Sequence, residues 1–175
     1  MVSAIFAAAL LTSPQDASYP AYITEKTLYA DNDFRGKEAP KMEIETWMHK
    51  KAPDMKGKVV MVDFWATWCG PCRASIPELN EWQKHFEKDL VIVGLSDEPK
   101  DTITKFMEGT AMNYHVANDT QGRLKKIVGV KGIPHAMIIT PDNIVRWQGF
   151  PGSAEDKLTT AKIEQIISAW KASQK

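Results

Sequence analysis

The chain has only two cysteines in 175 residues, no surplus of either charge sign, and no apolar run long enough to cross a bilayer. Each absence excludes something. Two cysteines cannot staple a domain of this length, so the fold must rest on a hydrophobic core, and a 43% share of apolar residues supplies one. Basic and acidic residues number 22 each, which removes the positive surplus expected of a nucleic-acid binder. No internal repeat is visible. The N-terminal run AIFAAALL at 4–11 is far shorter than the roughly 20 residues a membrane-spanning helix needs. It suits the apolar part of an export signal, with Ala7, Ala8 and Ala9 as a small-x-small cleavage pattern. The basic flank of such a signal is missing, because the first lysine is Lys26. Residues 1–33 are read as a signal-like or flexible segment and 34–175 as one domain. Export to the periplasm or cell envelope is expected, with a cytoplasmic location as the alternative.

What is present is a regular alternation of element types. MEIETWM at 42–48 alternates and suits an edge strand, and VVMVDFWA at 59–66 is a continuous apolar run with one charge, Asp63. That run has the character of a strand buried on both faces. After the cysteines, Ile76, Leu79, Trp82 and Phe86 mark one helical face, interrupted at Pro77, where a kink is expected. LVIVGLS at 90–96 is a second buried strand, 99–109 a helix, and 114–119 a short strand. Leu124, Ile127 and Val128 give 121–130 helical spacing, and 135–140 with 144–149 reads as a hairpin. A final helix is expected over 153–172, capped by Ser153, with Ile163, Ile166, Ile167 and Trp170 on its apolar stripe. The order predicts an α/β fold: a mixed sheet, parallel at first and ending in a hairpin, with helices on both faces.

The cysteines stand in DFWATWCGPCRASIP, as Cys69-Gly70-Pro71-Cys72. A zinc site would need two further ligands. His85 follows at a finger-like distance, but no histidine lies three to five residues beyond it. A permanent staple closing so short a loop gains little. A redox pair has a mechanism. Cys69 falls where a buried strand gives way to a helix, and unpaired N–H groups and the positive dipole end there favour a thiolate. Pro71 fits the first helical turn, where no donor is lost. Cys69 is then the attacking sulfur and Cys72 the resolving one. Asp63, six residues upstream within the apolar run, should have a raised pKa and can accept the Cys72 proton.

VVMVDFWATWCGPC resembles the active-site strand and motif of the thioredoxin superfamily, with Phe64, Trp65, Ala66 and Trp68 around the pair. Lys131-Gly132-Ile133-Pro134 is similar to that family's cis-proline loop. The resemblance implies a cis Pro134 packed against the cysteines and an Ile133 backbone that binds a substrate strand. It is nearer to the TlpA/ResA-like branch, through Gly36-x-x-Ala39-Pro40, through Pro77 after the motif, and through a helical insert over about 97–120 before the cis-proline loop. It covers roughly 34–172 and implies a thiol–disulfide oxidoreductase, commonly reductive and exported. Three positions depart from that branch. Ser75 stands where glutamate is frequent, Asp63 where asparagine is frequent, and His135 where threonine follows the proline. His135 is expected either beside Cys69, tuning it or touching substrate, or capping the loop and facing solvent.

Gly70-Pro71 places no positive charge between the cysteines, and a less stabilised thiolate makes a more reducing pair. The expected activity is reduction of protein disulfides. The partners would be protein thiol or disulfide substrates and an upstream electron donor, with no cofactor, no metal and no nucleic acid. Membrane contact would come at most through an N-terminal signal or anchor. Two other readings remain. One is a peroxiredoxin-like peroxidase, which shares Gly-x-x-Ala-Pro but would want Thr at a different spacing from Cys69 than Thr67. The other is a non-catalytic thiol or metal module, to which the eight methionines lend some support.

Overall fold

The fold was taken from a computed structural model that describes residues 19–49 and 51–174; the apolar run at 4–11 lies outside them. Six strands form one sheet in the order β1-β4-β3-β2-β5-β6. At its centre β2 (Val59–Phe64) pairs in parallel with β3 (Leu90–Ser96), and β3 with β4 (His115–Asn118). Parallel neighbours need crossovers, and α1 (Gly70–His85) and α2 (Lys100–Glu108) supply them. On the other side β5 (His135–Ile139) runs antiparallel to β2, and β6 (Val145–Gly149) antiparallel to β5. A two-residue strand, β1 (Thr46–Trp47), closes the far edge against β4. α3 (Arg123–Val128) precedes β5, and α4 (Thr160–Ser173) ends the fold. This is the mixed α/β sheet that the sequence pattern predicts.

Alternation along the central strands separates the two faces. Val59, Met61, Leu90 and Ile92 join Ile76, Leu79 and Trp82 of α1, Ile103 of α2 and Ile163 and Ile166 of α4 in one core cluster. Val62, Phe64, Val91, Val93 and Leu95 pack with Leu124 and Val128 of α3 and with the arm through Phe34 and Ala39. Each fully buried aliphatic or aromatic side chain stabilises by about 2 kcal/mol, so α1 is held firmly. Trp82 also donates its indole N–H to the Thr160 hydroxyl at 2.9 Å, joining α1 to the first turn of α4. α1 runs through Pro77 to His85 as one helix, and Pro77 faces solvent.

Several boundaries differ from the sequence expectation. β1 occupies two residues of the anticipated 42–48, and β2 stops at Phe64, because 65–69 leave the sheet to enter α1. α4 begins at Thr160, not near Ser153. Leu158 donates its N–H to the Pro151 carbonyl, Asp156 is buried between Lys26 and Lys162, and the Thr159 hydroxyl accepts the Lys162 N–H at 3.2 Å as the cap. Ile127 is exposed rather than part of the apolar face of α3. Within the insert at 97–120, by contrast, the helix expected over 99–109 and the short strand expected over 114–119 form as α2 and β4. The described part of the N-terminal segment is bound to the domain. Ala30 bridges Val130, and Asp31 donates its N–H to the Gly129 carbonyl at 3.0 Å.

Candidate active site at the head of the first long helix

β2 and α1 meet at the cysteines. Cys69 is the N-cap of α1 in extended conformation, and its Sγ accepts the N–H of Cys72 at 3.2 Å. The sulfur therefore occupies the place where a helix start offers its unpaired donors, which lowers the energy of a thiolate. Cys69 and Cys72 are disulfide-bonded, with their Cα atoms 5.3 Å apart. Both are buried, Cys72 more deeply (1% against 4%). Around them the surface is open. Trp68 is 71% exposed, and Gly70 and Pro71 face solvent. The Ile133–Pro134 peptide bond is cis, Pro134 is buried, and the Ile133 carbonyl oxygen lies 3.6 Å from Cys69 Sγ. The structure thus brings Cys69, Cys72, Trp68, Gly70, Pro71, Ile133 and Pro134 to one end of the sheet.

Asp63 belongs to the face of β2 that packs on α1, since it alternates with Val59 and Met61. Its neighbours across the sheet are Gly94 and Ala136. Both are small, and the space at Gly94 is filled by Trp65 and Tyr114. A Cβ there would come within 2.9 Å of the Tyr114 ring and 3.1 Å of Trp65 Nε1. Asp63 is 2% exposed, and burial pushes its carboxyl up to about 8. Among the described residues no opposing charge or hydrogen bond offsets that burial. The same burial, helped by Asp63, raises the Tyr114 phenol.

His135 sits elsewhere than either expectation placed it. It pairs across the sheet with Phe64, so its ring lies on the arm side of the sheet rather than the α1 side that carries the cysteines. It is fully buried, with Nε2 3.3 Å from Gln148 Nε2, the ring 6.1 Å from Phe64, and the Leu28 backbone and Lys26 ammonium nearby. Burial, and then Lys26, push its pKa down to about 4, so the ring is neutral. Ser75 donates its hydroxyl to the Cys72 carbonyl at 2.8 Å, a bond within the helix. His85 is exposed in the last turn of α1, edge-on to Phe86. Among the described residues no group of three or more His, Cys, Asp or Glu is arranged to hold a metal.

One participant was not visible in the sequence. The Glu98 carboxylate, just past the end of β3, accepts the Thr67 N–H and the Thr67 hydroxyl, each at 2.7 Å, and the Ser96 hydroxyl at 3.1 Å. It clamps the segment leading into Cys69. The only local signal was an acid at the end of a strand next to the motif strand, and the pairing of β2 with β3 gives that position its meaning.

A sequence model of the AhpC/TSA family matches residues 35–148. The thiol-disulfide oxidoreductase ResA of Bacillus thuringiensis subsp. konkukian is 36% identical over 114 residues, covering 63% of this chain and 66% of that protein. ResA of Bacillus subtilis is 31% identical over 115 residues, covering 63% and 64%. The chain thus spans just under two thirds of the length of these curated relatives. The crystal structure of a thiol:disulfide interchange protein DsbE from Chlorobium tepidum superposes with a TM-score of 0.60 at 30% identity, over 78% of this chain and 97% of that one. The thioredoxin-like fold expected from the motif is the fold these neighbours share.

Proposed function

The chain belongs to the AhpC/TSA family, and from that premise we propose that it is a thiol–disulfide oxidoreductase that reduces protein disulfides through Cys69 and Cys72. The observation that carries this reading is the placement of Cys69 Sγ on the Cys72 N–H at the start of α1, with Cys72 bonded behind it and the Ile133 carbonyl alongside. In the reduced protein the Cys69 thiolate attacks one sulfur of a substrate disulfide. The substrate S–S bond breaks, one substrate thiolate leaves, and a mixed disulfide forms. Cys72 then gives its proton to the Asp63 carboxylate and attacks Cys69 Sγ, releasing the second substrate thiolate. Two electrons pass to the substrate, and the Cys69–Cys72 disulfide remains. A dithiol donor restores the pair with two electrons and two protons. Asp63 suits the middle step, because a carboxyl titrating near 8 lies close to the ordinary thiol pKa of about 8.5. The Ile133 backbone and the exposed Trp68 offer the surface for an extended substrate segment.

His135 bears on direction. A neutral ring on the far face of the sheet lends the Cys69 thiolate no positive charge, which favours a reducing pair. The peroxidase alternative is weakened by Thr67, whose hydroxyl is committed to Glu98. The metal-module alternative loses its support from Met61, Met112 and Met137, which are packed in the two cores. The run at 4–11 supports export, to a compartment where disulfides persist. No helix among the described residues is long and apolar enough to cross a membrane. Residues 34–175 act as the catalytic domain in this reading. Insulin disulfide reduction by the wild type and by Cys69→Ser tests the function. Activity that survives in Cys69→Ser refutes it, and a redox titration giving the potential of a strong oxidant reverses the direction. N-terminal sequencing of the protein from its source tests export, and an intact Met1 end on a cytoplasmic protein refutes it.

A further inference from the structure

Beside the cysteine pair, toward the N-terminal arm, Tyr29, Gly132, Ile133, Pro134 and Phe150 wall an open apolar cleft of about 170 Å3. The cleft and the reacting sulfur share one residue, because the Ile133 that lines the cleft also places its carbonyl oxygen 3.6 Å from Cys69 Sγ. Tyr29 comes from outside the segment that resembles thioredoxins. Its backbone has φ 56°, a left-handed conformation that a bulky side chain rarely adopts and that glycine would adopt without strain. The fold enforces this conformation. Lys131 donates its N–H to the Tyr29 carbonyl at 2.9 Å, and the flanking Ala30 and Asp31 are bonded to Val130 and Gly129. Burial does not account for keeping a tyrosine there, since Tyr29 is 50% exposed and its ring meets Phe150 edge-on at 6.3 Å. A half-exposed ring, held at positive φ in a cleft one residue from the reacting sulfur, points to a contact made with a ligand.

We propose that Tyr29 and Phe150 form a subsite for an apolar or aromatic side chain that flanks the reacting cysteine of the substrate polypeptide, so that Tyr29 determines specificity. This rests on the disulfide-reductase reading above. The size fits: an enclosed apolar cavity of about 150 Å3 accommodates benzene, so the cleft has room for a Leu, Met or Phe side chain. None of the five lining residues carries a charge, so an acidic side chain placed there gives up water without gaining a cationic partner.

The test uses disulfide-bonded peptides that differ only in the residue next to the reacting cysteine (Leu, Phe or Asp), together with hydroxyethyl disulfide, which has no such side chain. Reduction is followed with wild type, Tyr29→Ala and Tyr29→Phe. The wild type should favour the Leu and Phe peptides over the Asp peptide by about tenfold or more in kcat/KM, mainly through KM. Tyr29→Ala should lower that ratio to about threefold or less, and Tyr29→Phe should keep it. Each ratio is taken within one protein, so a partly misfolded preparation leaves it unchanged. A wild-type ratio near one, or a ratio unaltered in Tyr29→Ala, overturns the subsite and leaves the reductase reading intact if hydroxyethyl disulfide is reduced. If the wild type reduces neither peptides nor hydroxyethyl disulfide, the reductase reading fails and the subsite falls with it.

Discussion

Replacing Asp63 with asparagine should stabilise the oxidised protein, increasingly so as pH rises. In the folded chain burial lifts this carboxyl from 3.8 to about 8, so the folded state holds a proton that the unfolded state has released through most of the range between. Stability from a group whose folded pKa is raised is fully present below the unfolded pKa and is lost as pH rises through the folded one. The loss is about 1.4 kcal/mol per pH unit, which accumulates to about 4 kcal/mol by pH 7 and levels off above pH 8. An asparagine amide does not titrate, so Asp63→Asn escapes this loss. The measurement is urea unfolding of the disulfide-bonded wild type and variant between pH 3.5 and 9, with the difference in unfolding free energy plotted against pH. The disulfide keeps the cysteines from titrating, groups that do not interact with Asp63 cancel in the difference, and Tyr114, whose phenol burial raises, stays protonated in the folded state across this range. A constant offset from amide replacing acid leaves the slope unaffected. A difference that stays flat within about 0.5 kcal/mol from pH 4 to pH 8 would refute the burial of an uncompensated carboxyl. In the reduced protein the same substitution should slow release of the mixed disulfide by about a hundredfold, the usual contribution of a positioned base.

Four further outcomes are expected. Cys72→Ser should trap the Cys69 mixed disulfide with insulin, visible by non-reducing mass spectrometry; a freely turning-over Cys72→Ser would argue against Cys72 as the resolving sulfur. His135 has its folded pKa depressed to about 4, so its contribution is present above about 6.5 and is lost, by about 3 kcal/mol in total, as pH falls toward 4. His135→Gln should therefore flatten the acid limb of the stability profile, and an unchanged limb would contradict the buried neutral ring. Gly94→Ala should destabilise by about 1–3 kcal/mol in denaturant unfolding, because its Cβ would press on Tyr114 and Trp65 at 2.9 and 3.1 Å; a neutral result would mean those rings move freely. Glu98→Ala should free the Thr67 N–H and hydroxyl, cost about 1–3 kcal/mol, and lower the alkylation pKa of Cys69 by removing a nearby negative charge; no pKa change would confine Glu98 to a structural part.

Much of this protein is written in local sequence. Continuous apolar runs define β2 and β3, because a strand covered on both faces has no solvent side to alternate with. Ile76, Leu79 and Trp82 at helical spacing define the buried face of α1, and the change from strand to helix between Phe64 and Gly70 puts Cys69 at a helix start. The burial of Asp63 follows from its apolar neighbours on both sides. These features depend on residues within a few positions of one another, and periodicity reports such relations directly.

Tertiary structure decided what depends on distant segments. His135 follows Pro134 in the chain, yet its side chain points away from the cysteines, because pairing with Phe64 assigns it to the opposite face of the sheet. Glu98 meets Thr67 across 31 residues only once β3 lies beside β2. The start of α4 was set by the burial of Asp156 between Lys26 and Lys162, which propensity along 153–159 does not register. Tyr29 reaches the cis-proline loop because the arm pairs with Val130. Sequence by itself determined the order of elements and the reactive pair, since those are local patterns. The surroundings of the pair came from register and face, which only the assembled sheet assigns.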